Sequence, residues 1–339
     1  MKDHILEVED LHVSFHTQNG VVNAVRGVNF TLNKGETLAI VGESGSGKSV
    51  TAKAIMRLLP KQNARITSGK INYENHDLLD MPIRKVQQIR GSQISMVFQD
   101  PMTALNPTMK IGKQIIEGLK KHQNLTNQQA RIKAIEMLKL VGIPNAEERL
   151  DSYPHQYSGG MRQRVVIAMA LACNPKILIA DEPTTALDVT IQAQILELMK
   201  ALQKKTGASI IIITHDLGVV ANMADRVAVM YAGEIVEMGT VEEIFYTPQH
   251  PYTMGLLQSM PKLHEDRTKP LIPIPGSPPD LASLGAGCPF APRCPYTMKV
   301  CHYFAPGKSE GTNGHSVACW LQDERTPKEL QPVGIGGTY

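Results

Sequence analysis

Apolar and polar residues alternate through the first part of the chain with the period of half-buried β-strands. Gly20 and the run Asn33–Gly35 interrupt the alternation where turns are expected. The pattern predicts an N-terminal antiparallel β subdomain. Its apolar positions are Leu6 and Val8, then Leu11, Val13 and Phe15, then Val25, Val28, Phe30 and Leu32.

Four later segments are almost continuously apolar, which is typical of parallel strands buried on both faces. They are Thr37–Val41, Lys176–Ala180, Ser209–Ile213 and Val227–Met230. Helices are predicted between them, notably over residues 49–59, which Pro60 closes, and over residues 190–205. Strands that alternate with helices predict an α/β fold in which helices cover a mostly parallel sheet.

Two other segments do not follow this alternation of strands and helices. Residues from about 100 to 172 include apolar positions at helical spacing, such as Ile111, Ile115 and Leu119, and predict a helical subdomain within the α/β core. After Phe245 prolines become frequent, so little regular structure is expected. We therefore predict one domain over residues 1–245 and an irregular C-terminal appendage over residues 246–339.

The composition is that of an ordinary globular protein: of 339 residues, 42% are hydrophobic and 20% are charged. The formal net charge of +3, without a block of like charges, gives no support for nucleic-acid binding. No apolar run approaches the roughly 20 residues that span a bilayer, and no signal-peptide pattern opens the chain. We expect a protein of the cytosol, or of the cytosolic face of a membrane through a partner.

A phosphate-binding loop follows the first apolar strand, because the run from Gly42 to Ser49 reads G-E-S-G-S-G-K-S. Its glycines let backbone N–H groups turn inward around phosphate oxygens, next to a helix N-terminus. Lys48 is expected to reach the β- and γ-phosphates, and the Ser49 hydroxyl to ligate Mg²⁺. A glycine-rich turn that matches by chance is the alternative, which the strand–loop–helix context disfavours. The candidate nucleotide-binding residues are Gly42, Ser44, Gly45, Gly47, Lys48, Ser49 and Val50.

Two carboxylates, Asp181 and Glu182, follow the apolar strand that begins at Lys176. Acidic residues at the carboxyl end of a buried strand complement a phosphate-binding loop. Asp181 is expected in the Mg²⁺ shell and Glu182 as the general base that polarises the attacking water. The alternative is an acidic N-cap for the helix over residues 190–205.

With these motifs, the chain resembles the ATP-binding subunits of ABC transporters over about residues 5–245. The other shared motifs, in matching order and spacing, are Gln99 after the strand Ile94–Phe98, Ser158–Gly160, Ala186–Asp188 and His215. The resemblance implies a P-loop NTPase fold and an ATP hydrolase that works at a dimer interface and is coupled to transport.

The resemblance also implies roles at the nucleotide. Phe15 would stack on adenine, and Gln99 would contact the Mg²⁺ or the attacking water. Ser158 and Gly160, at a helix N-terminus, would bind the γ-phosphate held by the opposite subunit.

Two further roles carry over in the same way. Asp188 would lie at the dimer seam, and His215 would contact the γ-phosphate and hold the attacking water in line. Structural alternatives exist for single residues considered alone: Phe15 as a core residue, Gln99 as an exposed polar residue and His215 as a structural histidine.

Several longer runs resemble the peptide-importer branch of this family. These are Y-S-G-G-M-R-Q-R at 157–164, in which Met161 replaces the usual glutamine, F-Q-D-P-M-T-A-L-N-P at 98–107, and H-P-Y-T at 250–253. The resemblance implies uptake of oligopeptides or dipeptides, and nickel importers share the same layout. A soluble ABC ATPase that acts without a transporter, and a metal-sensing module, are the other functions considered.

The implied partners follow from the same branch. They are a second ABC ATPase subunit, related but different, two membrane permease subunits and an extracellular substrate-binding protein, with no nucleic acid. The chain would then lie at the cytoplasmic face of the cell membrane as a peripheral subunit, with ATP and Mg²⁺ as its ligands.

Four of the five cysteines, Cys288, Cys294, Cys301 and Cys319, fall in the C-terminal appendage. In a reducing compartment such a group favours a metal site over disulfides. Four thiolates can hold an iron–sulfur cluster or zinc. The third alternative is thiols without a metal, or with an occasional disulfide. The resemblance to peptide importers favours a [4Fe-4S] cluster.

Overall fold

The computed structural model describes residues 4–18, 20–185, 187–260, 273–311, 314–327 and 329. They form two compact units. The first unit contains residues 4–5, 32–37 and 73–213, and the second contains residues 6–31, 38–72 and the described residues from 214 onward.

The strands are β1 His4–Thr17, β2 Gly20–Asn33, β3 Thr37–Val41, β4 Ala64–Tyr73, β5 His76–Asp77, β6 Ile94–Val97, β7 Ile177–Asp181, β8 Ser209–Thr214, β9 Arg226–Tyr231, β10 Glu234–Thr240, β11 Ser309–Glu310 and β12 Ser316–Val317. The helices are α1 Lys48–Ile55, α2 Ile83–Ile89, α3 Pro101–Ala104, α4 Ile111–Gln123, α5 Asn127–Leu140, α6 Ala146–Arg149, α7 Gly159–Leu171, α8 Val189–Thr206, α9 Leu217–Met223, α10 Val241–Tyr246, α11 Pro251–Gln258 and α12 Lys299–Tyr303.

The second unit contains two sheets. In one, the long N-terminal strands are neighbours in the order β2-β1-β4. In the other, the order is β11-β12-β10-β9-β3, and β3 pairs with β9 in parallel, with Val41 opposite Val229. Every residue of β3 is buried, as its apolar run predicts. The phosphate-binding loop follows directly after this strand.

The first unit is built on parallel strands with helices around them. Strand β7 lies between β6 and β8, with Ala180 opposite Ile212 in the parallel register. Helices α4, α5 and α7 pack on one another within the segment that was predicted to be helical. Together with the N-terminal antiparallel sheet, these features confirm the predicted α/β fold class.

One helix differs from its predicted bounds, and another forms where little regular structure was expected. Helix α1 ends at Ile55 rather than Leu59, because Arg57 takes a left-handed backbone with φ 49°. In the C-terminal region, α11 forms although Pro251 stands in it, because proline at the first helical position removes no hydrogen bond. Among the described helices, none has the length and apolar character needed to cross a bilayer.

Candidate functional site

The phosphate-binding loop of the second unit has the backbone that its glycines predict. Gly45 and Gly47 have φ values of 81° and 103°, in the left-handed region that disfavours other residues. A Cβ atom on Gly47 would lie 2.5 Å from the carbonyl oxygen of Ala24, so this position also requires glycine for space. The loop then opens into α1, which begins at Lys48.

The predicted phosphate ligands lie in the loop and in the first turn of α1. The Lys48 side chain is buried, and its Nζ donates to the carbonyl oxygens of Gly42 at 2.7 Å and of Glu43 at 2.8 Å. Ser44 is exposed at the tip of the loop, and Ser49 and Val50 are half-buried in the first turn of α1. The loop thus combines a buried cation with a helix N-terminus, the two features that bind anions.

Two other predicted residues belong to the same unit. Phe15 lies on β1 and is half-buried. His215 is exposed directly after β8. Asp216, the next residue, caps α9 by accepting from Gly218 N at 2.8 Å, so the chain turns into a helix immediately after the histidine.

The first unit brings together Glu182, the predicted general base, and Gln99, which was predicted to contact the Mg²⁺ or the attacking water. The Gln99 side-chain amide donates to Glu182 Oε2 at 2.7 Å, and the Thr185 hydroxyl donates to the same oxygen at 2.9 Å. Asp181, one residue earlier, is the last residue of β7 and is only 3% exposed. The two carboxylates therefore differ in environment: Asp181 is buried, and Glu182 is half-buried with its carboxylate held by two donors.

Glu182 also has an uncommon backbone. Its φ is 46°, in the left-handed region that costs energy for residues with a side chain. Its N–H donates to Ile213 O at 2.9 Å, which ties this turn to the end of β8. Strained backbone that is held in place by neighbouring contacts occurs preferentially at functional sites.

The predicted γ-phosphate segment also lies in the first unit, at the start of α7. Ser158 is the N-cap, with its hydroxyl accepting from Met161 N at 3.3 Å, and Gly160 is the second residue of the helix. Ser158 is exposed, so the helix N-terminus faces solvent. Farther along α7, the buried amide of Gln163 donates to Pro183 O at 2.6 Å, one residue after Glu182.

Asp188 has a defined structural role. Its carboxylate accepts from Ile191 N at 2.9 Å and caps α8. Asp188, rather than the pair Asp181–Glu182, is therefore the acidic N-cap of this helix. Ala186, part of the predicted dimer-seam motif, lies outside the described residues.

Comparison with known proteins places the chain in a family. Residues 25–185 match the family described as ABC transporter, and residues 236–301 match the one described as oligopeptide/dipeptide transporter, C-terminal region. The dipeptide transport ATP-binding protein DppD of Bacillus subtilis is 60% identical over 321 residues, covering 95% of this chain and 96% of that protein. The oligopeptide transport ATP-binding protein OppD of the same organism is 59% identical over 331 residues, covering 98% and 92%.

This chain belongs to the oligopeptide/dipeptide ABC transporter ATPases. Two solved structures of ABC cassettes match the fold of this chain. The ATP-binding cassette MJ0796, a dimer in a post-hydrolysis state with ADP and Pi, matches with a TM-score of 0.63 at 28% identity, covering 70% of this chain and 98% of that one. CbiO1 from Clostridium perfringens, part of the cbiONQ ABC transporter complex, matches with a TM-score of 0.60 at 32% identity, covering 72% and 91%.

The C-terminal region of this transporter ATPase is anchored on a buried carboxylate. Glu237 on β10 is fully buried and accepts from Gln249 N at 2.7 Å, from His250 N at 3.0 Å and from His315 Nε2 at 2.8 Å. The hydrogen bond to Glu237 raises the pKa of His315. Burial lowers the pKa of His250 to about 4, so this ring is neutral and its Nδ1 accepts from Tyr252 N at 3.0 Å.

The His-Pro-Tyr run therefore positions Tyr252 at the phosphate-binding loop. Its hydroxyl oxygen accepts from Glu43 N at 2.8 Å. The Glu43 side chain is bound by Arg293, with Nη1 to Oε2 at 2.6 Å and Nη2 to Oε1 at 3.0 Å. Two residues of the C-terminal region thus hold one residue of the loop.

The four C-terminal cysteines line one small cavity, together with His250 and Trp320 among others. Burial raises the pKa of Cys288, that of Cys294 to about 11 and that of Cys319 to about 12, so these thiols are protonated at neutral pH. Across the described residues, no group of three or more His, Cys, Asp or Glu side chains has the spacing of a metal site. The fifth cysteine, Cys173, is in the other unit and is half-buried.

Sequence reasoning missed four residues that shape this site: Glu43, Glu237, Tyr252 and Arg293. The His-Pro-Tyr run served only as a mark of the family, although it contains the tyrosine that contacts the loop. Glu43 was a second signal, because a carboxylate within a loop that binds anions needs a positively charged partner. That partner lies 250 residues away and has no local signature.

Proposed function

We propose that two ATPase cassettes close around ATP, each contributing half of every nucleotide site. The phosphate-binding loop of one subunit, with Lys48 and Ser49, binds the triphosphate and Mg²⁺. Ser158 and Gly160 of the opposing subunit bind the γ-phosphate, and Phe15 stacks on the adenine. Support comes from the exposed N-terminus of α7 at Ser158 and from the dimeric state of the related cassette MJ0796.

Glu182 is the proposed general base. The observation that supports this role is that its carboxylate is held in one orientation. A left-handed backbone and two donors to Oε2 fix the carboxylate, and one of those donors is Gln99. Gln99 and Asp181 complete the proposed set at Mg²⁺ and the attacking water, and His215 holds that water in line. Mg²⁺ supplies charge neutralisation at the phosphates, and the protein supplies positioning.

The proposed work is import of oligopeptides or dipeptides through two separate membrane permeases at the cytoplasmic face of the cell membrane. A second ATPase subunit of a related but different sequence and an extracellular substrate-binding protein complete the proposed complex. Support comes from the relatives, which are named for dipeptide and oligopeptide transport, and from the match of residues 236–301 to the C-terminal region of those transporters.

Uptake of labelled solutes tests the substrate class. In cells whose only peptide importer contains this chain and its related ATPase subunit, we expect a labelled dipeptide or pentapeptide to accumulate, and Lys48→Ala to abolish that uptake. Loss of Lys48 removes the buried cation of the loop, and with it nucleotide binding. Accumulation of nickel instead of either peptide would contradict peptide import while leaving the ATPase assignment in place.

We also propose that Cys288, Cys294, Cys301 and Cys319 hold a [4Fe-4S] cluster. Support comes from the four thiols lining one cavity, since Cys thiolates are the usual ligands of iron–sulfur clusters. Their spacing in this structure is not that of a metal site, so binding of the cluster would have to draw the thiols together. Binding requires the thiols to lose their protons, so the cluster would form with proton release. Its proposed role is to organise the proline-rich segment around it.

The cluster is tested by chemical analysis of anaerobically purified protein. We expect a brown preparation with iron and acid-labile sulfide, and we expect Cys294→Ser to lose both. Cys173→Ser is the matched control, since Cys173 lies in the other unit, and it should keep the colour. A colourless, iron-free wild-type preparation, or one that contains zinc, would rule the cluster out.

A further inference from the structure

The phosphate-binding loop carries its own negative charge. Glu43, the second residue of the loop, is adjacent to the backbone that cradles phosphate, and its carbonyl oxygen accepts from Lys48 Nζ at 2.8 Å. A carboxylate so close to an anion site opposes binding of ATP unless its charge is neutralised. The structure shows how this is achieved.

Arg293 neutralises Glu43 through two parallel hydrogen bonds, of 2.6 and 3.0 Å, between guanidinium and carboxylate. This two-bond geometry is the strong form of an arginine–carboxylate pair. The Arg293 side chain is only 5% exposed, whereas that of Glu43 is 28% exposed. Water therefore screens this pair less than it screens an ion pair at the surface.

Arg293 is itself held from several sides. Its Nε donates to Pro275 O at 2.9 Å, and its Nη1 also contacts the Tyr231 hydroxyl at 3.3 Å. The guanidinium lies 5.8 Å from the centre of the Tyr231 ring and 6.0 Å from that of Phe290. The C-terminal region thus presents a fixed cation to the loop, and the Tyr252 hydroxyl holds the Glu43 backbone beside it.

We infer that Arg293 is a positioning residue for ATP binding, which cancels the charge of Glu43 next to the phosphate-binding loop. The C-terminal region then controls nucleotide affinity directly, whichever solute the transporter carries. A unit charge left uncompensated beside the loop would weaken binding about tenfold. The loss should be larger for a triphosphate than for ADP, because the triphosphate carries more negative charge.

The test is calorimetric titration of the full chain with Mg²⁺ and either ADP or the non-hydrolysable analogue AMP-PNP. Arg293→Gln should raise the Kd for AMP-PNP about tenfold and that for ADP by less. Adding Glu43→Gln to that variant should restore affinity to within about threefold of wild type, because no unpaired charge remains. Arg325→Ala is the control: it removes an exposed arginine that pairs with Asp323, and should leave both Kd values unchanged.

The rescue separates charge cancellation from a merely structural role. If the double variant binds AMP-PNP as weakly as Arg293→Gln alone, or if ADP and AMP-PNP lose affinity equally, the inference is overturned. Should Arg293→Gln yield no folded protein, Arg293→Lys carries the test, because lysine keeps the charge without the two-bond geometry. The inference requires that variant to bind AMP-PNP within about threefold of wild type, and a larger loss contradicts it.

Discussion

Replacing Glu182 with glutamine should slow ATP hydrolysis by about 10²–10⁴-fold while ATP binding persists. Gln99 and Thr185 both donate to Glu182 Oε2 in the wild-type protein. Glutamine has nearly the same shape as glutamate, and its side-chain oxygen can still accept these hydrogen bonds. It cannot act as a base, because an amide does not take up a proton near neutral pH. ATP-bound dimers should therefore accumulate, and phosphate release together with size-exclusion chromatography measures both effects.

Glu197→Gln provides the matched control for this variant. Glu197 is an exposed glutamate on α8 in the same unit, and its substitution should leave hydrolysis unchanged. Turnover by Glu182→Gln within a fewfold of wild type would remove Glu182 as the general base. Loss of ATP binding by the same variant would instead show that its carboxylate holds the nucleotide or its metal.

Replacing Glu237 with alanine should destabilise the C-terminal region by about 3–5 kcal/mol. The carboxylate is fully buried and accepts from Gln249 N, His250 N and His315 Nε2. Its removal leaves the buried N–H of His250, the half-buried N–H of Gln249 and the ring of His315 without this acceptor. Trp320 is the chain's only tryptophan and lies in this region, so its fluorescence during urea unfolding reports the effect.

The effect of Glu237→Ala should also depend on pH. Because the pKa of His315 is raised in the folded protein, its ion pair with Glu237 stabilises fully below the ordinary value of 6.5 and is lost as pH rises through the raised value. The difference between wild type and variant should therefore be larger at pH 6 than at pH 9. Glu324→Ala, at an exposed glutamate of the same region, should change stability by less than about 0.5 kcal/mol. An equally small change for Glu237→Ala would contradict an anchoring role.

Local sequence pattern predicts most strands and helices of the cassette, because apolar residues recur along them at regular spacing and turn residues separate them. The fully apolar run at Thr37–Val41 becomes β3, and the glycine loop and α1 follow it. Ser158 and Asp188 both turn out to cap helices, as short polar residues at helix N-termini do. The fold and the positions of the motifs along it thus follow from neighbouring residues alone.

Contacts between distant parts of the sequence are not predictable in this way. Tyr252 and Arg293 reach Glu43 across 209 and 250 positions, and no local period encodes such pairs. The left-handed backbone of Glu182 is likewise imposed by its surroundings, since glutamate alone does not favour it. The C-terminal region was therefore expected to be an appendage, although it supplies two contacts to the phosphate-binding loop.

Photo-crosslinking of the trapped transporter tests the central claim, that each ATP is held by two opposing cassettes. A photoreactive residue at Gly159 suits this purpose, because a Cβ at this exposed position meets no heavy atom within 4 Å. In the Glu182→Gln transporter complex with MgATP, irradiation should link the photoreactive residue at position 159 to the phosphate-binding loop of the opposing ATPase subunit. Without ATP, this link should not form. Isotope-labelled and unlabelled chains, analysed by mass spectrometry, distinguish links between subunits from links within one. A link to any other segment, or no ATP-dependent link between subunits, would contradict the account.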